Sequence, residues 1–555
     1  MNEKEKIVEK IGDVKIYGRG STGGKGLGLV KINECQIPNA HKLRTRILTT
    51  SYFDRYIDNG GALDKDDLFT ISEILEKLGE IPISVRSSAT NEGYLPSKKG
   101  RAIHAGENTS FMLPNNHPDF SVRFNQLKQA IYHIYNDFLT LQPENSQEKM
   151  AIVINPIPGI NESTNAGPIY YPLVSGIANS YFPYALKTQN AHEGFARIAF
   201  GHGYATVLDD FSVIPMITIR NPLPLNLLKG GTQQFFFALD MTKNSSLQGN
   251  ELETMKKLNI RFTGLQKLKL IGLRQRLITM EELLQKNRFN FKAGLLQIME
   301  TISSKISTHY QIEFVFNIDL EKTNEEKGTF HVVQLTQLPE FDFKAVDFPD
   351  RIKNVYLAIN SLQGHGIKRG IKYAVVVSPF IYTKDKNEEV RQRLSSINQE
   401  MKQKKEKYFI IVPGRLGSRN KEWGIYIDYI DIDAAEAIFE YGVDIAGRSE
   451  PLPEESTLSG GIYGSHFLYM IQGGFDEEKR RMQTRMYGTQ GTHFLTNLMS
   501  NNVVYGYIAP NKDRIDPWFF SNSQNESAVQ VMKFPKPVTI YADSQKQKCI
   551  VAVKQ

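Results

Sequence analysis

The stretch "GSTGGKGLG", Gly20 to Gly28, stands close to the start of the chain, and the choice of fold class hangs on it. Glycine-rich turns let backbone amides approach an anion closely, because no Cβ intervenes. The commonest such device, the P-loop G-x-x-x-x-G-K-[ST], does not fit. With Gly24-Lys25 in register its first glycine falls on Arg19, and Lys25 is followed by Gly26 instead of a hydroxyl residue. Taken alone, the stretch is either a phosphate site of another kind or a plain turn before a helix. Its flanks must decide.

On either side, residues 14–115 alternate short apolar runs with glycine-rich turns. "DVKIYG" reads as a strand, and "GLGLVKINEC" as a helix leaving the glycine loop. "TTSYFDRYID" opens on a helix N-cap signal at Thr49 or Thr50, and "DKDDLFTISEILEKLG" is an amphipathic helix stopping at Gly79. "IPISVRSSAT" is a strand that runs into a polar turn, and residues 120–142 carry apolar side chains at helical period. "KMAIVINPIPG" reads as a buried strand, "GPIYYPLVSGIANSYF" as a strand with a turn, and about 250–308 as a helical region. "QIEFVFNIDL" and "GTFHVVQLTQLP" form a hairpin-like pair across a charged turn. Composition shifts over 339–351, a linker. Beyond it "YAVVVSPFIY" and "KYFIIVPG" are strand-like around a charged helix, which points to a second α/β domain. The expected fold class is α/β (α+β), divided at 1–115, 116–345 and 346–555.

Bulk properties exclude several classes. A chain of 555 residues exceeds one hydrophobic core and holds about two to four domains. Its 41% hydrophobic and 23% charged residues are ordinary globular values. Two cysteines, Cys35 and Cys549, cannot build a disulfide framework or a cysteine-rich metal site, which suits a reducing cytoplasm. The start "MNEKEKIVEK" has no apolar centre, and no apolar run approaches a membrane span, so no membrane partner is expected. The net charge of +7 is modest. The densest basic stretch, 265–286, lacks interleaved aromatics and reads first as a solvated helix face, with a nucleic-acid surface as the alternative.

Four segments carry chemistry. The first is the glycine loop with Gly23, Gly24 and Lys25. In the second, "SVRSSATNEG", Arg86 leaves a strand into Ser87 and Ser88, and a guanidinium beside hydroxyls suits an oxyanion. The third and fourth place Glu313 inside the apolar strand "IEFVF" and Gln334 in its partner "VVQLTQ". A carboxylate and an amide oxygen on adjacent strands are hard ligands, appropriate to Mg²⁺ bridging nucleotide phosphates. Each has a bland counterpart: Arg86 as a structural ion-pair residue, Glu313 as a carboxylate snorkelling to an edge.

Together, in order and spacing, these segments resemble the nucleotide-binding, ATP-grasp-like region of the pyruvate phosphate dikinase and phosphoenolpyruvate synthase family over residues 20–340. "GGKGLGL", "LTTSYFDRYI", "ISVRSSATNEG", "AGENTSFMLPN" and "IEF…VVQLTQLP" carry the resemblance. It implies ATP and Mg²⁺ as cofactors. Lys25 and Arg86, with Gly23, Gly24, Ser87 and Ser88, would meet the phosphates, while Glu313 and Gln334 would hold magnesium. The implied chemistry is in-line phosphoryl transfer, helped by positioning and charge neutralisation.

The departures are specific. The family's acidic residue two before the glutamate is Gln311, its arginine in L-Q-x-R-P falls on Thr336, its G-L-G-E reads "GHGY" with Tyr204 last, and its E-D pair reads Glu92-Gly93. The chain has no T-C-H-A-A or S-S-H-A-A motif for a swivelling phosphohistidine domain, and no recognisable phosphoenolpyruvate-binding barrel. Residues 350–555 resemble the extension of a bacterial group that shares this ATP-binding region, and Arg415, Trp423 and His493 sit at its marked positions. His493 and His466 are candidates for a phosphate-accepting or general-base histidine, or for structural ones. His202 and His104 are weaker candidates near the nucleotide. Two expectations follow. One is an ATP-dependent phosphotransferase whose acceptor is a small molecule, a glycan or a protein histidine, with a homo-oligomer compatible. The other is an ATP-binding sensor or scaffold weakened by the lost charges.

Overall fold

The computed structural model describes residues 8–38, 40–94, 108–141, 146–165, 167–181, 194–207, 216–217, 233, 235–243, 255–259, 265–274, 277–318, 328–338, 346–349, 352, 354–360, 362–378, 381–413, 415–417, 424–441, 494, 497–498, 501–508, 513–521, 527–544 and 546–553. Over these the protein is a mixed α/β (α+β) molecule with several sheets.

Six strands, β1 (Val8–Ile11), β2 (Val14–Tyr17), β3 (Arg46–Leu48), β4 (Ile83–Ala89), β5 (Ser110–Leu113) and β6 (Met150–Pro156), form a first sheet in the order β1-β2-β3-β6-β4-β5. β2 and β3 are parallel, which demands a crossover, and helix α1 (Gly23–Cys35) supplies it. Helices α2 (Thr50–Asp58), α3 (Lys65–Leu78) and α4 (Phe120–Leu141) follow. α3 opens where the Asp64 side chain accepts the Asp67 N–H at 2.8 Å, and it stops at Gly79, whose φ is +79°. These helices cover one face through Phe53, Ile71, Leu75, Leu127 and Ile131, which pack with Ile152 and Ile154 of β6. On the other face Val153 packs with Leu29 and Val30 of α1. A strand covered on both faces explains the unbroken apolar run "MAIVI". Because β6 is internal to this sheet, the first unit continues beyond residue 115 and takes in α4.

Next come β7 (Ile160–Thr164), β8 (Gly167–Tyr171), β9 (Val174–Asn179), β10 (Phe195–Phe200), α5 (Tyr204–Val207), β11 (Met216–Ile217), β12 (Phe235–Asp240), β13 (Met255–Asn259), α6 (Leu265–Ile271), β14 (Leu273–Arg274), β15 (Leu277–Ile278), α7 (Glu281–Leu284), α8 (Phe291–Ser303), β16 (Tyr310–Asn317) and β17 (Thr329–Gln337). Two antiparallel sheets result, β11-β10-β9-β16-β17 and β13-β12-β8-β7. The segment "GPIYYPLVSGIAN" is therefore two strands in different sheets, parted at Pro172, which has no N–H to donate. The helical reading of 250–308 holds only in part. Its first described residues form strand β13, and the basic stretch 265–286 breaks at Gly272. There φ is +116° and an added Cβ would lie 2.6 Å from the Glu281 nitrogen.

The remaining strands, β18 (Val355–Ile359), β19 (Leu362–Gln363), β20 (Gly366–Val377), β21 (Tyr408–Pro413), β22 (Arg415–Leu416), β23 (Gly424–Ile425), β24 (Ala435–Tyr441), β25 (Val504–Ile508), β26 (Arg514–Ile515), β27 (Val529–Asp543) and β28 (Lys548–Val553), with helix α9 (Asn387–Lys404), make the C-terminal unit. Nine of them form one sheet, β19-β25-β24-β21-β20-β27-β28-β18-β26, in which β20, β21, β24 and β25 run parallel and the other pairs are antiparallel. α9 covers one face through Val390, Leu394 and Ile397, while Phe409, Phe519 and Phe534 fill the other.

Candidate functional site

The glycine stretch folds into the turn before α1 and that helix's first two turns. Its backbone is held by hydroxyls of the protein itself. Gly23 N–H donates to Ser21 Oγ at 3.1 Å and Gly26 N–H to Ser88 Oγ at 3.0 Å, while Ser88 Oγ donates to the Thr22 carbonyl at 2.8 Å. Gly23 has φ +65°, and a Cβ there would sit 1.8 Å from the Ser88 carbonyl oxygen, so only glycine allows this approach. Gly93 does the same from the far side, since a Cβ on it would lie 2.8 Å from the Lys25 nitrogen. One consequence is that Lys25, third in the helix, is turned into a cavity.

That cavity, of about 390 Å³, lies between the first sheet and the five-stranded sheet. Lys25, Ser84, Arg86 and Glu92 line it from the first unit, and His202, Tyr204, Glu313, Gln334 and Thr336 from the second. Its size falls within the range of small-molecule sites. Pro156, Ile157, Pro158 and Pro172 make part of its wall apolar.

Two charge pairs meet there. Lys25 Nζ pairs with the fully buried Glu92 and also contacts Ser87 Oγ at 3.2 Å. Asn108 Nδ2 donates to the other Glu92 oxygen. Arg86 reaches out of β4 across to the second unit. Its Nη1 donates to the Val333 carbonyl at 2.7 Å, and its Nη2 to Glu313 Oε2 at 3.1 Å and to Gln334 Oε1. Glu313 and Gln334 are paired residues on β16 and β17, beside a register shift after Glu313. The Gln334 amide then donates to Thr336 Oγ1 at 3.0 Å. His202, on the loop after β10, is pulled down to about 4 by burial first and the Arg86 charge second, with Glu313 opposing. It is a neutral imidazole at neutral pH.

Of the residues singled out in the sequence, Lys25, Arg86, Glu313 and Gln334 therefore come together on one cavity. Gly23, Gly24, Ser87 and Ser88 do not line it; they shape the turn and orient Lys25 from beneath. Of the departures, Tyr204 and Thr336 line the cavity, whereas the Gln311 amide turns to Asn179 Oδ1 at 2.8 Å. His493, His466, His104 and Trp423 lie outside the described residues, and Arg415 is described only as backbone of β22. Sequence reasoning passed over Ser84 and Asn155, which line the cavity with Ser84 Oγ 3.2 Å from Asn155 Oδ1. Strand periodicity held the signal, because Ser84 and Arg86 share one face of β4.

Mg²⁺ keeps several waters and takes one or two carboxylates plus substrate phosphates. Glu313 with the Gln334 amide oxygen fits that donor set. Among the described residues no group of three His, Cys, Asp or Glu forms an all-protein metal cage. Among them also, no helix is long and apolar enough to cross a membrane. No protein-family model matches the chain, and no curated protein sequence matches it.

Proposed function

We propose that residues 20–338 grip Mg-ATP between the two units in the manner of an ATP-grasp site, and that the protein is an ATP-dependent phosphotransferase. The acceptor is unassigned among a small molecule, a glycan and a protein histidine. One observation carries the reading: four side chains from segments far apart in sequence, Lys25, Arg86, Glu313 and Gln334, converge on a single cavity between two sheets. Lys25 and Arg86 supply two cations for phosphate oxygens, in a partly dehydrated site where such pairs are stronger than in water. Glu313 and Gln334 would hold the metal, which when bound neutralises phosphate charge. The chain's own residues position the nucleotide and exclude water.

A second reading, an ATP-binding sensor, is favoured by the uncharged groups at two cavity positions, Tyr204 and Thr336, and by the neutralisation of both cations within the protein. Phosphorus NMR of the protein with Mg-ATP separates the readings. The control is the Lys25→Met/Glu92→Gln double variant, which removes both charges of the buried pair and so spares the fold. ATP consumption by the unmutated protein alone is expected; AMP plus phosphate would indicate dikinase-like chemistry and ADP a simple kinase. Bound but unconsumed ATP selects the sensor. Absence of binding refutes both.

A further inference from the structure

The loop Gly201-His202-Gly203-Tyr204 belongs to neither charge pair, yet it projects into the same cavity. Its backbone is fixed on both sides. Gly201 has φ +88°, and a Cβ there would meet the Phe237 carbonyl oxygen at 2.9 Å; the His202 N–H donates to that same carbonyl at 2.8 Å. The Tyr204 ring meets the imidazole edge-to-face with centroids 4.9 Å apart. So the ring's place is set by main-chain bonds and by its neighbour.

The tautomer follows from those bonds. The Tyr204 N–H donates to His202 Nδ1 at 3.4 Å, so Nδ1 is an acceptor and, in a neutral ring, the proton sits on Nε2. Nε2 has no hydrogen-bond partner among the described residues. Arg86 from β4 and Glu313 from β16 line the same cavity and act on the ring through their charges, and the Tyr204 ring from α5 packs edge-to-face with it. A nitrogen that carries its proton cannot ligate a metal through that atom, whereas an N–H in a cavity with a guanidinium and an ammonium suits an anionic oxygen.

We propose that His202 donates through Nε2–H to a phosphate oxygen of the ligand held in this cavity, as a binding residue alongside Lys25 and Arg86. The inference rests on the nucleotide reading above. A histidine with a merely structural role would turn Nε2 into the protein; here the turn uses Nδ1 and leaves Nε2–H for the ligand.

The test is titration calorimetry with Mg-ATP and, separately, inorganic tripolyphosphate, on the unmutated protein and His202→Gln, His202→Asn and His202→Ala. A glutamine amide places its N–H near the position of Nε2, an asparagine amide near that of Nδ1. His202→Gln is expected to bind both probes within about threefold of the unmutated protein, while His202→Asn and His202→Ala lose about tenfold or more, the worth of a hydrogen bond to a charged group. Nitrogen-15 NMR should show Nε2 protonated in the free protein and shifted by tripolyphosphate. Equal binding by His202→Ala, retention by His202→Asn but not His202→Gln, or an unprotonated Nε2 would each overturn the inference while leaving the nucleotide reading intact. Failure of the unmutated protein to bind either probe would overturn both.

Discussion

Lys25 and Glu92 form a pair with both side chains nearly shut off from water. Taking one charge from such a pair leaves the other unpaired in a poor solvent, which typically costs about 3–5 kcal/mol. Glu92→Gln should therefore lower unfolding free energy in urea by about 3 kcal/mol, and adding Lys25→Met should recover most of the loss. If the double variant were no more stable than Glu92→Gln, the pair would not be the cause. On the nucleotide reading, Mg-ATP should stabilise Glu92→Gln more than the unmutated protein, since phosphate would replace the missing carboxylate. His331 offers a pH test. Burial, and then His41, pull it from 6.5 to about 4, and its Nδ1 is buried without a hydrogen-bond partner. Above 6.5 the ring is neutral in both folded and unfolded chains and contributes nothing to the pH dependence. As pH falls from 6.5 towards 4 the unfolded chain takes up a proton that the folded one refuses, so stability is lost, by at most about 1.4 kcal/mol per pH unit. His331→Leu should flatten that acid limb in denaturation measured from pH 7 to 4. An unchanged slope would refute the assignment.

Among elements, α1 depends on how closely its start meets β4. Gly23→Ala drives a Cβ against the Ser88 backbone in a left-handed conformation and should cost more than about 2 kcal/mol. Gly60→Ala makes a fair control: φ is +67° there as well, but nothing lies within 4 Å, so about 1 kcal/mol is expected. Equal thermal shifts in the two variants would show that the close approach does not matter. The elements themselves were largely readable. α3 announced itself by its apolar period and Gly79, and the β16–β17 hairpin by its paired strand-like runs across a charged turn. Where the reading failed, a single residue redirected the chain: Pro172 divides one apolar run between two sheets, and Gly272 breaks the basic helix. Neither changes the local hydrophobic pattern much, so periodicity alone could not locate either break.

Across the whole molecule, all nine strands of the largest sheet come from residues 355–553, while the sheets before residue 338 are tied to each other by α1 packing on β17 and by Arg86. Gly28 marks that contact, since a Cβ on it would lie 2.5 Å from the Leu335 carbonyl oxygen. Units that share no strand and have separate cores unfold separately. Calorimetry should then show two transitions, with Arg86→Met lowering only the one that belongs to residues 8–338. One transition that moves as a whole would mean that the units are coupled.

The residue types and local periods determined most helices, most strands, the α/β class and which four segments carry candidate polar and charged groups, because each of these depends on neighbours within about one element's length. Tertiary structure decided that Lys25, Arg86, Glu313 and Gln334 share one cavity, that Ser88 holds the glycine turn from behind, and that His202 lines the same space with no hydrogen-bond partner for Nε2 among the described residues. The Arg86–Gln334 hydrogen bond alone joins positions 248 residues apart in the chain. Such relations are created by sheet register and by the approach of two separate sheets, which no local pattern encodes.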